Sequence, residues 1–153
     1  MKQMPRENVP LPSDIHSEKL ILGEVLLEND SWKYAGVLLE TDFSLDSHRV
    51  IFRAIKFLMD KGPVDIGLLA NYLKGIRELE AIGNRPYLFE LTEGIPRNCW
   101  ILGHCEVLAE KGRLRRIMTV CNEAMQRAAA EDEEASRIVT WMGTEFRGIG
   151  KSK

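Results

Sequence analysis

Apolar positions recur along this chain at spacings of three and four, the period of a helix with one buried face, and no run alternates as a half-buried strand would. Pro10-Leu11-Pro12 reads as an extended lead-in, since each proline fixes φ and turns its predecessor away from helix. Asp14 is placed to cap a helix running to about Glu28, with Ile15, Leu22, Val25 and Leu26 along one side and Asn29 closing it in the left-handed conformation. A short helix from Asp30 or Ser31 carries Trp32, Val37 and Leu38. Ser47 is the expected cap of the next, with Ile51, Ile55, Leu58 and Met59 inward and Arg49, Arg53 and Lys56 mostly outward. Lys61-Gly62-Pro63 is a stop signal, after which Asp65 begins a helix with Leu68, Leu69 and Leu73. Asn84 and Pro86 open a further helix through Tyr87, Leu88 and Leu91, ended by Gly94-Ile95-Pro96.

From Asn98 to about Ala130 no proline interrupts the pattern, which predicts one long helix with a bend near Gly112. Its second half carries the stripe Leu114, Ile117, Cys121, Ala124 and Ala128. The acidic run Glu131-Asp132-Glu133-Glu134 is the turn into a last helix with Ala135, Ile138, Val139, Met142 and Phe146. The expected fold class is all-α, a small helical bundle followed by an antiparallel helical hairpin. The boundaries are 1–13 for the lead-in, 14–97 for the bundle, 98–147 for the hairpin and 148–153 for a polar tail or the start of a linker. Leu114, Ile117, Cys121 and Ala124 are expected to pack on Ile138, Val139 and Met142 within the hairpin. Such a hairpin cannot bury both apolar faces within one chain, so self-association is expected, with Met118, Met125 and Trp141 as contact candidates.

Composition narrows the function. The 153 residues have 21 Lys+Arg against 23 Asp+Glu, a formal net charge of −2, which excludes a bulk electrostatic binder of nucleic acid or membrane. No apolar run approaches a membrane span and no signal-peptide core follows the N-terminus, so a cytoplasmic protein without membrane contact is expected. Cys99, Cys105 and Cys121 make no Cys-x-x-Cys and are read as small buried hydrophobes. His16, His48 and His104 show no metal-ligand spacing and take surface or packing roles. Gly148-Ile149-Gly150-Lys151-Ser152 resembles the end of a phosphate-binding loop, but Glu145 occupies the position of its first glycine and a helix precedes it. No catalytic or metal site emerges. The cluster Lys111, Arg113, Arg115 and Arg116 is the candidate for contacts to DNA or a protein partner, with Glu106 and Glu110 partly cancelling its field.

Five groups of residues in order resemble the N-terminal domain of the DnaB-type bacterial replicative DNA helicase. They are Pro12 with Glu18-Lys19-Leu20-Ile21-Leu22-Gly23; Asp42-Phe43 with His48-Arg49-Val50-Ile51-Phe52; Val64-Asp65-Ile66; Leu79-Glu80-Ala81-Ile82-Gly83 with Tyr87-Leu88; and Pro96 with Glu110-Lys111 and Arg115-Arg116-Ile117. Asn84 stands where the family usually has a second glycine, and His104 where a tyrosine is common. The resemblance implies a domain that pairs through its hairpin, builds a trimer-of-dimers collar on a hexameric helicase ring and receives primase. It implies a helicase loader as a further partner and DNA contact only indirectly. It also implies no cofactor in this chain, because ATP and Mg belong to a separate motor domain. An excised helicase fragment is the favoured reading; the others are a free-standing relative that regulates or loads a helicase, and a small DNA-binding protein using residues 111–116.

Overall fold

A computed structural model describes residues 9–97 and 99–151. Residues 1–8 of the lead-in, Asn98 and tail residues 152 and 153 lie outside the described residues. The described residues form helices and turns without a strand: α1 (Ile15–Leu27), α2 (Trp32–Ala35), α3 (Asp46–Met59), α4 (Ile66–Gly75), α5 (Asn84–Thr92), α6 (Ile101–Ala130) and α7 (Ala135–Lys151). The chain divides into two compact units, Ser13–Glu110 and a second made of Met1–Pro12 with Lys111–Lys153.

Short-range chemistry starts the helices of the first unit where the sequence predicts in two cases. Asp14 Oδ1 accepts the Ser17 N–H at 3.0 Å, and Asp65 Oδ1 accepts that of Leu68 at 2.8 Å, each satisfying a donor that a helix start leaves without an intrahelical partner. The hydrogen bond from Ser17 holds the Asp14 carboxyl below its usual range. Ser47 is not a cap. Leu45 occupies that position without a side-chain bond, and Ser47 lies within the first turn of α3. Asn29 does not close α1 through a left-handed backbone either. Its side-chain amide donates to Val25 O at 2.8 Å and to Val64 O at 2.9 Å while its Oδ1 accepts the Val64 N–H at 2.7 Å. It thus fastens the end of α1 to the segment leading into α4.

The core of this unit is built from Ile21, Leu22, Val25, Phe43, Ile51, Phe52, Ile55, Leu69, Leu73 and Leu88, all nearly inaccessible to solvent. Each such side chain contributes about 1.5–3 kcal/mol on leaving water. Phe43 sits on Phe52 at 4.7 Å between ring centroids, and its position is set by the preceding Asp42, whose Oδ2 accepts the Leu39 N–H at 2.8 Å. Helix α1 packs against α3 and α5, and α4 packs against the same two. The α1–α5 approach is close at Gly23, where an added Cβ would stand 1.8 Å from Leu91 O. Gly83 begins α5 at φ 104, a left-handed conformation that glycine adopts without a Cβ clash.

Ile15, Val37 and Leu68 face solvent, and α2 ends at Ala35, before the Val37 and Leu38 that the sequence pattern assigns to it. The first unit also extends into α6, because Ile101, Cys105 and Leu108 are part of its core. The compact boundary therefore falls at residue 110, where the sequence pattern places it at 97. Helix α6 is unbroken through Gly103 and Gly112, and α7 continues through residues 148–151, where the sequence pattern suggests a tail.

Candidate functional site

The hairpin unit differs in how it disposes of its apolar residues. Successive helical residues advance by about 100°, so positions 114, 117, 121, 125 and 128 fall within an arc of about 80°. That stripe faces solvent: Leu114, Ile117, Cys121 and Met125 are exposed, Met125 to 45%. The buried positions of α6 in this unit lie beside the stripe, at Gly112, Val120 and Ala124. On α7 Ile138 is buried and Met142 half-buried, but Val139 is 67% exposed and Phe146 is exposed as well. The expected inward packing of Leu114, Ile117, Cys121 and Val139 is therefore corrected; only Ala124, Ile138 and part of Met142 go inward. The physical reason is width. Two helices cover one side of each other, and an apolar sector broader than that side leaves the remainder in water.

The turn between the helices is closed by charge. Glu131 leaves α6 at φ 55, and Arg127 Nε and Nη2 donate to Glu133 Oε1 and Oε2 at 2.6 and 2.7 Å. This paired hydrogen bond lowers the Glu133 pKa and raises that of Arg127. The same guanidinium lies 4.5 Å from the centre of the Trp141 ring, tying α7 to the end of α6. Of the self-association candidates, Met125 stands open on the stripe, Met118 is half-buried beside it, and Trp141 is half-buried under Arg127.

Lys111, Arg113, Arg115 and Arg116 are adjacent in sequence but not on one face. At the helical advance they spread over about 200° of α6. Arg115 is buried and donates from Nη1 to Pro12 O at 2.8 Å, fastening the lead-in to this unit. Lys111, Arg113 and Arg116 are half-buried.

The first unit contains a polar network that the sequence reading does not anticipate. Glu18, fully buried, accepts from the Ser44 N–H and hydroxyl at 2.6 and 2.5 Å through Oε1, and its Oε2 meets His48 Nδ1 at 2.6 Å. His48 Nε2 meets the Tyr87 hydroxyl at 2.6 Å. Burial pushes the Glu18 carboxyl up, but the hydrogen bonds from His48 and Ser44 together outweigh it and the net pKa is lowered. Burial raises the Tyr87 hydroxyl. Glu18, His48 and Tyr87 stand in three different sequence groups quoted above, 30 and 39 positions apart, and here they form one hydrogen-bonded line. Such a Glu–His–Tyr line with both Glu18 and His48 closed to solvent orders helices rather than reaching a substrate. His104 Nδ1 meets the Ser17 hydroxyl at 2.8 Å and packs edge-on against His16.

Cys105 is buried and its thiol is pushed up to about 12 by burial, which removes it as a nucleophile at neutral pH. Cys99 is half-buried and Cys121 exposed, so the reading of all three as buried hydrophobes holds for Cys105 alone. Among the described residues no three His, Cys, Asp or Glu side chains are grouped to hold a metal ion, and no helix is long and apolar enough to cross a membrane.

Comparison with known proteins gives consistent matches. A family model for the DnaB-like helicase N-terminal domain matches residues 10–110. The replicative DNA helicase DnaB of Buchnera aphidicola subsp. Baizongia pistaciae is 34% identical over 120 residues, which are 77% of this chain and 26% of that protein. The replicative DNA helicase DnaB of Geobacillus stearothermophilus is 29% identical over 136 residues, 88% of this chain and 30% of that protein. The chain thus spans between a quarter and a third of the length of these relatives. The crystal structure of the N-terminal domain of DnaB helicase from Mycobacterium tuberculosis superposes with a TM-score of 0.83 at 27% identity, covering 91% of this chain and 99% of that one.

Proposed function

Because this chain belongs to the DnaB-like helicase N-terminal domain family, we propose that it serves a replicative DNA helicase as a non-catalytic assembly and partner-docking module. The observation that carries this reading is the exposed apolar face of the hairpin, formed by Leu114, Ile117 and Met125 on α6 and by Val139 and Phe146 on α7. An apolar face in that position is stable in water when a second copy covers it, and pairing of hairpins builds dimers from which a collar of higher order assembles. Primase docks on that assembled collar, and a helicase loader is a further partner. ATP with Mg is held by the motor domain of the helicase. The setting is the bacterial cytoplasm.

The first unit supplies the rigid part of the module. Its core, the Asn29 fastening and the Glu18–His48–Tyr87 line hold α1, α3, α4 and α5 in one arrangement, so that a partner meets a fixed surface. The test is a mixture of the purified chain with primase from the same cell, followed by measurement of the mass of the complex. Docking predicts a species containing both proteins, lost when Met125 and Val139 are both replaced by Glu, since these variants remove the assembly that primase meets. Independent migration of the two proteins at micromolar concentration contradicts the docking half of the proposal.

A further inference from the structure

Away from the hairpin, the connection between α4 and α5 forms a hollow of about 470 Å³ lined by Lys74, Arg77, Leu79, Glu80, Asn84 and Arg85. Three cations therefore meet one carboxylate there, in a chain whose overall charge is −2. Lys19, Arg49, Arg53 and Arg127 each make an ion pair with a carboxylate. Among the described residues, Lys74, Arg77 and Arg85 make none, and the one side-chain hydrogen bond of the three is from Arg85 Nη2 to Asn71 Oδ1 at 3.1 Å.

The backbone that carries these side chains is held in place. Arg77 N–H donates to Lys74 O at 3.1 Å, Glu78 N–H to Leu73 O at 2.9 Å and Asn84 N–H to Leu79 O at 2.9 Å, while Leu79 and Ile82 are buried beneath. Arg77 and Asn84 both adopt left-handed backbone conformations, φ 61 and 63. The cations are thus presented from the end of α4, its pinned connection and the start of α5, not from a free tail.

The chemistry of the lining selects the ligand. Two guanidinium forks suit the paired oxygens of a phosphate, a lysine adds a point charge, and the Asn84 amide supplies a neutral donor. The lone apolar lining residue, Leu79, is itself buried, so the hollow has no pocket for an apolar side chain of an acidic peptide. We propose that this hollow binds phosphate groups, carried either by a nucleic-acid strand or by a free polyphosphate. It lies in a different unit from the hairpin face, and the two assignments fail independently.

The experiment uses the full chain, isotope-labelled, at low salt. Inorganic pyrophosphate is expected to shift the amide resonances of residues 74–77 and 83–85 in a saturable way. The doubly substituted Lys74→Glu/Arg85→Glu chain should bind at least about tenfold more weakly, and Glu80→Gln more tightly than the parent. A short oligothymidine then separates the two sources. If it binds with a log–log salt slope of about −2, as three strand phosphates require, the ligand is a nucleic-acid strand. If pyrophosphate binds and the oligomer does not, the ligand is a free polyphosphate. Resonances that stay fixed, equal shifts with a polyglutamate peptide, or undiminished binding by the double variant overturn the proposal. Since Glu80→Gln removes a charge without reversing any, it keeps the test readable if the double variant folds poorly.

Discussion

The two units of this protein both carry apolar side chains at helical spacing and dispose of them in opposite ways. In Ser13–Glu110, Ile51, Ile55, Leu69, Leu73 and Leu88 have no accessible surface, and even the charged Glu18 is closed off and satisfied. In the hairpin, Val120, Ala124 and Ile138 are the buried apolar side chains, while Leu114, Ile117, Met125, Val139 and Phe146 meet water. The first unit has several helices to cover each apolar face; the second has two. The first unit closes its own apolar faces, whereas the second leaves one open to water, as the proposed pairing requires. Substitutions should separate them cleanly.

The largest effect on the stability of the folded chain is expected from Phe52→Ala, which empties the centre of the first unit between Phe43 and Trp32. A loss of about 3–5 kcal/mol should appear in denaturant unfolding. Gly23→Ala follows. Its new Cβ would collide with the Leu91 backbone carbonyl and force α1 from α5, costing about 1–3 kcal/mol by the same measurement. Truncating the exposed Val139 to Ala should lower the stability of the single chain by less than about 0.5 kcal/mol, in contrast to the core of the first unit.

Glu18→Gln keeps the shape of the buried line but removes the charge that His48 and Ser44 stabilise, and should cost about 1–3 kcal/mol near neutral pH. The pH dependence has a definite sign. The folded Glu18 carboxyl titrates below its ordinary value, so its stabilisation is present above that value and is lost as pH falls through the lowered one. Unfolding curves taken from neutral to acid pH should therefore fall less steeply for Glu18→Gln than for the parent. The smallest of these effects belongs to Arg127→Ala, which frees Glu133 and uncovers Trp141. Amide exchange in residues 131–137 should quicken while the unfolding midpoint of the first unit stays in place; protection unchanged at the turn would show that the charge pair does not hold the hairpin closed.

The all-helical class, the hairpin and the family were legible in the sequence, and so were the features set by neighbours within a turn. Asp14 and Asp65 cap because a carboxylate three residues ahead of a backbone N–H needs nothing else. Asn29 reads locally as a helix-ending asparagine because its partners include Val64, 35 positions away, and no local signal shows that. The Glu18–His48–Tyr87 line is not legible for the same reason, although each of the three residues stands out singly in the sequence. On the hairpin, periodicity identified the apolar stripe but not its direction. A period tells that Leu114, Ile117 and Cys121 share a side; only the number of covering helices decides whether that side meets protein or water. The cationic cluster was misleading in the opposite sense. Lys111, Arg113, Arg115 and Arg116 are close in sequence yet splayed around α6, whereas Lys74, Arg77 and Arg85 are separated in sequence and share one hollow.

The central claim, that the hairpin face is completed by a second copy, is tested most directly by sedimentation equilibrium over a wide concentration range. The parent chain is compared with Met125→Glu/Val139→Glu, both sites being exposed in the single chain. The account predicts a dimer, or a larger species built from dimers, for the parent. It predicts a monomer of unchanged helicity for the variant, with an unfolding midpoint that no longer depends on concentration. A parent that remains monomeric at the highest concentration, or a variant that associates as the parent does, would contradict it.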